Sequence, residues 1–476
     1  MLWPEIIFNR LNINPGTKTI IVDHLGLLTE PDFTSFLSIK KMEWAFAQDV
    51  PGILSAIKSA KLVIIKEGLE LPAYLKKQAS VIRFDIQKLP IEIEPGILNK
   101  LSNTRIEALI EYANDTGFMQ LIGQNNYKKY VATAERHCWQ KEIRQLEENI
   151  SVQCQSAQNY NDLLSLGELW GHYIYLNYRL DQSPKGKMLD ELDRVSEALV
   201  LNHVVRDAFY ESSFHPKTVD KIIPHIKSRR QQKVALVCFD AMGVAEWYVL
   251  QQYLSEKGLR FKEKMLFALI PTMTRISRSA IFYGNTEQAY HLKTINEDKA
   301  FAENLSNYTV RSFREGDLTS KEQLLGIEAV KLIYNVFDDL AHKTILPPSE
   351  TTKHLYFNNV FNYLAKSRIK DELQLLADEG FKLWFCSDHG SVVAGGNGQK
   401  IDKYLIEASS KRATIIGKSE LAKFYDVNQY EIPFVQEKIV LLAKGRTCFS
   451  TKNKTEITHG GISLDELVVP FIEVEN

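Results

Sequence analysis

From Gln232 onward, short apolar and β-branched runs alternate with segments of helical period: KVALVCF, MLFALI, YTVRSF, AVKLIYNVF, FKLWFCS, ATIIG, KIVLLA and VVPFIEV. A strand that is apolar on both faces must be covered on both, which predicts a largely parallel sheet with helices on either side. Residues 1–97 read differently. There TIIVD (19–23), KLVII (61–65) and SVIRF (80–84) sit between amphipathic segments up to an IEIEPG turn, the pattern of a small α/β domain. Between 98 and 230 long runs such as KYVATAERHCWQKEIRQLEENI keep a helical period with almost no Gly or Pro, which predicts a helical domain. The 476 residues thus divide into 1–97, 98–230 and 231–476, in keeping with a prior of roughly 100–200 residues per domain. The segment Gly390–Arg412, rich in Gly, Lys and Ser, reads as an insertion or mobile loop.

Lys and Arg number 58 against 59 Asp and Glu, so there is no global basic field to hold nucleic acid, and any phosphate recognition has to be local. The opening MLWPEIIFNR lacks a basic stretch leading into an apolar one, and no segment runs to about 18 uncharged apolar residues. The expectation is a soluble, unexported protein with no membrane partner. Five cysteines, odd in number, scattered and never in C-x-x-C spacing, argue against a disulfide framework or zinc knuckle and for a reducing cytoplasm.

Function in open α/β sheets collects at the carboxyl ends of strands. The polar residues that follow the apolar runs are Asp240, then Thr272 and Thr274, then Asp338, Asp339 and His342, then Asp388 and His389; His459 stands just ahead of the last run. Each has an ordinary explanation: Asp240 as a helix N-cap, Asp338 and His342 as a surface pair one helical turn apart, THGG as a turn. Their conjunction at separate strand ends of one sheet favours a shared site. Carboxylates and neutral imidazoles are ligands for zinc or manganese, so the pattern reads as a di-metal site.

The order D…PTxT…DxxxH…SDHG…THGG, carried by Asp240, Pro271 to Thr274, Asp338 to His342, Ser387 to Gly390 and Thr458 to Gly461, resembles the alkaline phosphatase superfamily. More narrowly, DAMGVAEW, PTMTRISRSAIFYG and THGGISLDELVVPFIEV look like the PglZ domain, and the upstream stretches are similar to the N-terminal parts of PglZ proteins of phage-defence (BREX) loci. The superfamily motifs cover roughly 232–476. The resemblance implies an alkaline-phosphatase-like fold: a mostly parallel sheet sandwiched by helices, preceded by the small α/β domain and the helical domain. Because PglZ-type domains also occur fused to response-regulator receivers, Asp23 is a candidate phospho-acceptor by position; the acidic pair of a receiver is missing, so it reads as structural.

Residue by residue, the resemblance implies one metal held by Asp240, Thr274, Asp388 and His389 and a second held by Asp338, His342 and His459. The two divalent ions would be Zn²⁺, with Mn²⁺ or Mg²⁺ as alternatives. Thr274, the second threonine of P-T-x-T, matches the nucleophile, and Thr272 is expected to bond the turn backbone. Sulfatase chemistry is disfavoured, because C/S-x-P-x-R is replaced by Thr-Arg-Ile-Ser-Arg. Arg275, Arg278 and Asn335 are candidate substrate contacts, with a surface or structural role weighed slightly ahead for each arginine. Asp339 is expected to be an exposed helix residue. The implied function is a metal-dependent phosphodiesterase acting on a nucleotide or oligonucleotide through a metal-activated threonine, in anti-phage defence or signalling. A phosphomonoesterase or phosphomutase, or a scaffold subunit, is the alternative. The helical domain is the expected surface for protein partners.

Overall fold

The structure, a computed structural model, describes residues 2–14, 17–255, 260–291, 296–418, 420–432 and 435–475. It divides into two compact units, Met1–Glu142 and Ile143–Asn476. The boundary falls inside the long helix Tyr127–Ser156, so the helical run of 98–230 is shared between the units. Among the described residues no helix is long and apolar enough to cross a membrane.

The first unit holds β1 (Thr19–Asp23), β2 (Trp44–Ala47), β3 (Leu62–Lys66) and β4 (Ser80–Phe84) in the order β2-β3-β1-β4, every pair parallel. The apolar residues of β1 and β3 are buried because helices cover both faces. Asp23 ends β1. One carboxylate oxygen accepts from the backbone N–H of Leu25 (3.0 Å) and Gly26 (2.8 Å), the other from Leu28 (2.8 Å). The carboxylate is consumed in closing its own loop.

The second unit is built on six strands: β5 (Val234–Phe239), β6 (Arg260–Phe267), β7 (Val310–Arg314), β8 (Ala329–Tyr334), β9 (Lys382–Cys386) and β17 (Val468–Glu475), in the order β6-β17-β9-β5-β8-β7. β9, β5, β8 and β7 run parallel; β17 is antiparallel to both its neighbours. This mostly parallel, helix-covered sheet is the alkaline-phosphatase-like architecture. Every residue of β5 and β8 is buried.

Two of the apolar runs lie elsewhere. ATIIG and KIVLLA form β12 (Ala413–Gly417) and β14 (Lys438–Leu442), which join β11 (Ile406–Ser409) and β13 (Asn428–Glu431) in a separate antiparallel sheet, β11-β12-β14-β13. The segment 390–412 is not a loop throughout. It contains β10 (Val392–Gly396), which pairs with β15 (Thr447–Cys448) and β16 (Thr455–Thr458), as well as β11. Gly396 serves close packing: a Cβ there would lie 1.9 Å from the Thr451 carbonyl oxygen.

The helix Tyr160–Leu180 packs on this unit through glycine. A Cβ on Gly167 would meet the Val468 side chain at 2.5 Å, and one on Gly171 would meet Val244 at 2.4 Å. The bare glycine face lets the helix backbone approach β17 and the helix Val244–Ser255. Trp170, between the two glycines, donates from its indole to Asp465 at 3.1 Å.

Candidate metal centre

The site is assembled where β5, β8 and β9 deliver polar residues at their carboxyl ends. Asp240 follows β5 and Asp388–His389 follow β9; β5 and β9 are adjacent and in register, Cys238 beside Cys386, which sets the two carboxylates side by side. Asp338 and His342 stand one turn apart on the helix Val336–Lys343 after β8. Thr274 begins the helix Thr274–Tyr283, and His459 lies between β16 and β17.

The first group comprises Asp240, Asp388 and His389, with candidate ligand atoms all within 4.8 Å of one another. Asp388 and His389 have no exposed surface and Asp240 is 5% exposed. Asp388 Oδ1 accepts from the backbone N–H of Ala241 (3.2 Å) and His389 (3.0 Å), while Oδ2 finds no donor. Asp240 Oδ2 accepts from Arg278 Nη1 at 2.8 Å, and its Oδ1 is likewise buried without a donor. Two orphaned carboxylate oxygens side by side are expensive in a protein interior. Burial, and then the charge of Asp388, push Asp240 up to about 7; burial raises Asp388 to about 6. A divalent cation would satisfy both oxygens, so the residues fit such an ion.

The second group, Asp338, His342 and His459, is as compact. Asp338 Oδ1 lies 3.3 Å from His342 Nε2 and 3.7 Å from His459 Nε2. Burial works against ionising Asp338, but the hydrogen bond from His342 and the charge of His459 outweigh it and hold the carboxyl below its usual range. His342 is raised in turn by Asp338. Burial, then the charge of His389, bring His459 down to about 4; burial also lowers His389.

The histidine tautomers follow from what lies behind the rings. His389 Nδ1 is 2.9 Å from the Gly390 carbonyl oxygen and His459 Nδ1 is 3.0 Å from that of Thr272. A carbonyl only accepts, so each Nδ1 carries the proton and each Nε2 turns a lone pair to the site, the form a metal takes. Thr274 Oγ1 is 2.8 Å from His389 Nε2, to which its hydroxyl donates. The His389 and His459 rings stack with centroids 4.1 Å apart, so the two groups lie next to each other.

Glycine and turn chemistry hold the loops. A Cβ on Gly390 would lie 2.0 Å from the Asp465 carbonyl oxygen. Gly460 has φ +116, which only glycine adopts comfortably. The buried Thr272 hydroxyl donates to the Gly461 carbonyl (2.9 Å) and accepts from the Gly460 N–H (3.0 Å), the turn-bonding role expected of it. Two further residues escaped the sequence reading: Glu466 accepts from the Gly461 N–H at 2.9 Å and pairs with the fully buried Arg412 at 3.1 Å. The S-x-x-E spacing of Ser463 and Glu466, a capping box, was the available signal.

The remaining candidates are placed as follows. Arg278 is engaged by Asp240 and by Glu297 (3.0 Å). Arg275 is exposed on the same helix. Asn335 lies beyond the end of β8, exposed at the cap of the following helix and not within a strand, because β8 stops at Tyr334. Asp339 is exposed and pairs with Lys343 at 3.1 Å.

The sheet order and the two Asp/His groups at its carboxyl edge define an alkaline-phosphatase-like domain. The chain belongs to the PglZ family: residues 218–474, slightly more than half of it, match the family model of the BREX system PglZ alkaline phosphatase-like domain. No curated protein matches the sequence. Among solved structures the chain is similar to human ectonucleotide pyrophosphatase/phosphodiesterase 5, with 14% identity, a TM-score of 0.35, and coverage of 51% of this chain and 88% of the other. The murine counterpart, solved as an inactive variant in complex with AMP, gives 13%, 0.34, 51% and 88%.

Proposed function

We propose that the chain is a divalent-metal-dependent phosphodiesterase that cleaves a nucleotide or oligonucleotide phosphodiester through Thr274, within anti-phage defence or signalling. The observation that carries this reading is the contact of one hydroxyl, Thr274 Oγ1, with an Asp/Asp/His group that contains two orphaned carboxylate oxygens, beside a second Asp/His/His group. Asp240, Asp388, His389 and Thr274 would hold one ion and Asp338, His342 and His459 the other, with Zn²⁺ ahead of Mn²⁺ or Mg²⁺. Bound there, the ions would supply positive charge that favours ionisation of a hydroxyl and polarises phosphoryl oxygens.

The protein's own groups do the rest. In the metal-free site His389, fixed by the Gly390 carbonyl, holds Thr274 beside the position its Nε2 lone pair would give to the ion. Arg278 fixes Asp240 so that its free oxygen faces His389, 3.8 Å away. Thr274 attacks phosphorus, the departing alcohol takes up a proton to balance the one the hydroxyl gives up, and water then hydrolyses the phosphothreonine. A diester is favoured over a monoester because Arg278 is engaged by two carboxylates, and because the cleft beside His342 has an apolar wall of Ile345, Leu346 and Ile457 suited to a second ester group. Metal analysis of the purified protein, with hydrolysis of bis-p-nitrophenyl phosphate against p-nitrophenyl phosphate, tests the reading. Turnover of the monoester alone, or of neither with metal bound, would overturn it.

A further inference from the structure

The cleft beside His342 has a volume of about 210 Å³ and two unlike sides. One is apolar, formed by Ile345, Leu346, Pro348 and Ile457, with Ile345 87% exposed. The other carries Lys411, Lys454 and Glu456. Glu456, on β16, is a single buried carboxylate that takes the ammonium groups of both lysines and the Ser450 hydroxyl at 2.7 Å. Two cations sharing one anion leave a positive surplus at the rim of a cleft that opens beside a residue of the second metal group. Lys454 remains 59% exposed, so its ammonium is free to serve a ligand as well. Nothing in the proposed chemistry at Thr274 uses these lysines.

We propose that this cleft is a subsite for the neighbouring nucleotide of an oligonucleotide, its apolar wall against the base or sugar and Lys411 and Lys454 on the next phosphate along the strand. The inference rests on the diesterase reading and sharpens it: the substrate carries a second phosphate beside the one attacked. A simple dialkyl or diaryl phosphate would leave the lysines unused. Charge complementarity selects the occupant, because an apolar face next to a surplus cation suits an amphipathic anion and neither a neutral group nor a second cation.

The test uses the full chain carrying Thr274→Ala, to suppress turnover, with bound metal. It is titrated with thymidylyl-thymidine and with its 5′- and 3′-phosphorylated forms. One phosphorylated form is expected to bind about tenfold more tightly than the unphosphorylated dinucleotide, as a charge-assisted phosphate contact provides. Lys411→Met with Lys454→Met should erase that ratio and flatten the salt dependence by about 0.7 per lysine in the log–log slope. Glu456→Gln, which frees both cations, should move the ratio the other way. Lys454→Met alone, at an exposed position, keeps the test independent of folding and should reduce the ratio about threefold. Equal affinities for all three ligands, absence of binding, or a ratio that survives the lysine substitutions would overturn the proposal. Wild-type turnover of bis-p-nitrophenyl phosphate, measured separately, tells failure of the diesterase reading from failure of the subsite.

Discussion

Replacing Asp240 by asparagine is expected to stabilise the metal-free protein at pH 8 while weakening its response to metal. The carboxyl is 5% exposed, with one oxygen that meets no donor and a second carboxylate, Asp388, beside it. Burial and that neighbour raise it from an ordinary 3.8 to about 7. An acid whose folded pKa is raised leaves stability intact below the unfolded value and loses it as pH climbs through the folded one. At pH 8 the full cost applies, and 1.36 kcal/mol for each tenfold step sets an upper bound of about 4 kcal/mol. Asparagine removes that cost but deprives Arg278 of one of its two partners, which offsets roughly 1–2 kcal/mol. The net gain is about 2 kcal/mol, on the order of 2–6 °C in Tm for a unit of this size. Thermal melts of wild type and Asp240→Asn in EDTA at pH 8 and pH 4, then in zinc or manganese, make the assay. The variant should melt higher in EDTA at pH 8, the advantage should vanish near pH 4, and wild type should gain more from metal. A variant that melts lower than wild type in EDTA at pH 8, or that gains as much from metal, would refute the argument that this carboxylate is held in place for a cation.

Thr274→Ala should cost on the order of 10³ or more in diesterase rate and keep metal binding, with Thr274→Ser recovering a large part; steady-state kinetics under saturating metal decide, and near wild-type rates in the alanine variant would count against covalent attack. Gly171→Ala should destabilise by about 1–3 kcal/mol in chemical denaturation, because the new Cβ would lie 2.4 Å from Val244 Cβ and 3.1 Å from the Ala245 backbone nitrogen, neither free to swing aside. In the first unit, burial and the charges of Asp32, Glu30 and Glu111 raise Glu107 to about 7, so Glu107→Gln should stabilise above pH 7, by at most roughly 3 kcal/mol, and leave stability unchanged below pH 4.5. Melts at pH 8 and pH 4 check both limits.

The candidate site was more legible in the sequence than the architecture around it. Asp240, Asp388 and His389 directly follow strands apolar on both faces, so their place at the sheet edge could be read from where each run stops. Asp338 and His342 were legible through helical spacing. ATIIG and KIVLLA look like the central strands in composition, yet pair antiparallel elsewhere, because an apolar run does not state its partner. Gly395 and Gly396 make 390–412 look like a loop, though the missing side chain of Gly396 is what lets β10 lie against the 450–451 backbone. The unit boundary near Glu142 was invisible, since no Gly or Pro interrupts Tyr127–Ser156 and packing alone divides it. Arg412, at the end of an apparently polar stretch, gave no sign that it is buried against Glu466 and the Thr447 and Gly445 carbonyls.

β17 lies between β6 and β9 although it follows both in the chain. During synthesis β6 and β9 therefore wait without a common neighbour until residues 468–475 emerge, and the segment that carries His459 and Glu466 immediately precedes them. A nascent chain that has already made Asp240, Thr274 and Asp388 cannot complete the second Asp/His group or lock the loop that supports it. Whatever chemistry the edge of this sheet performs depends on the strand that is latest in the chain among the six.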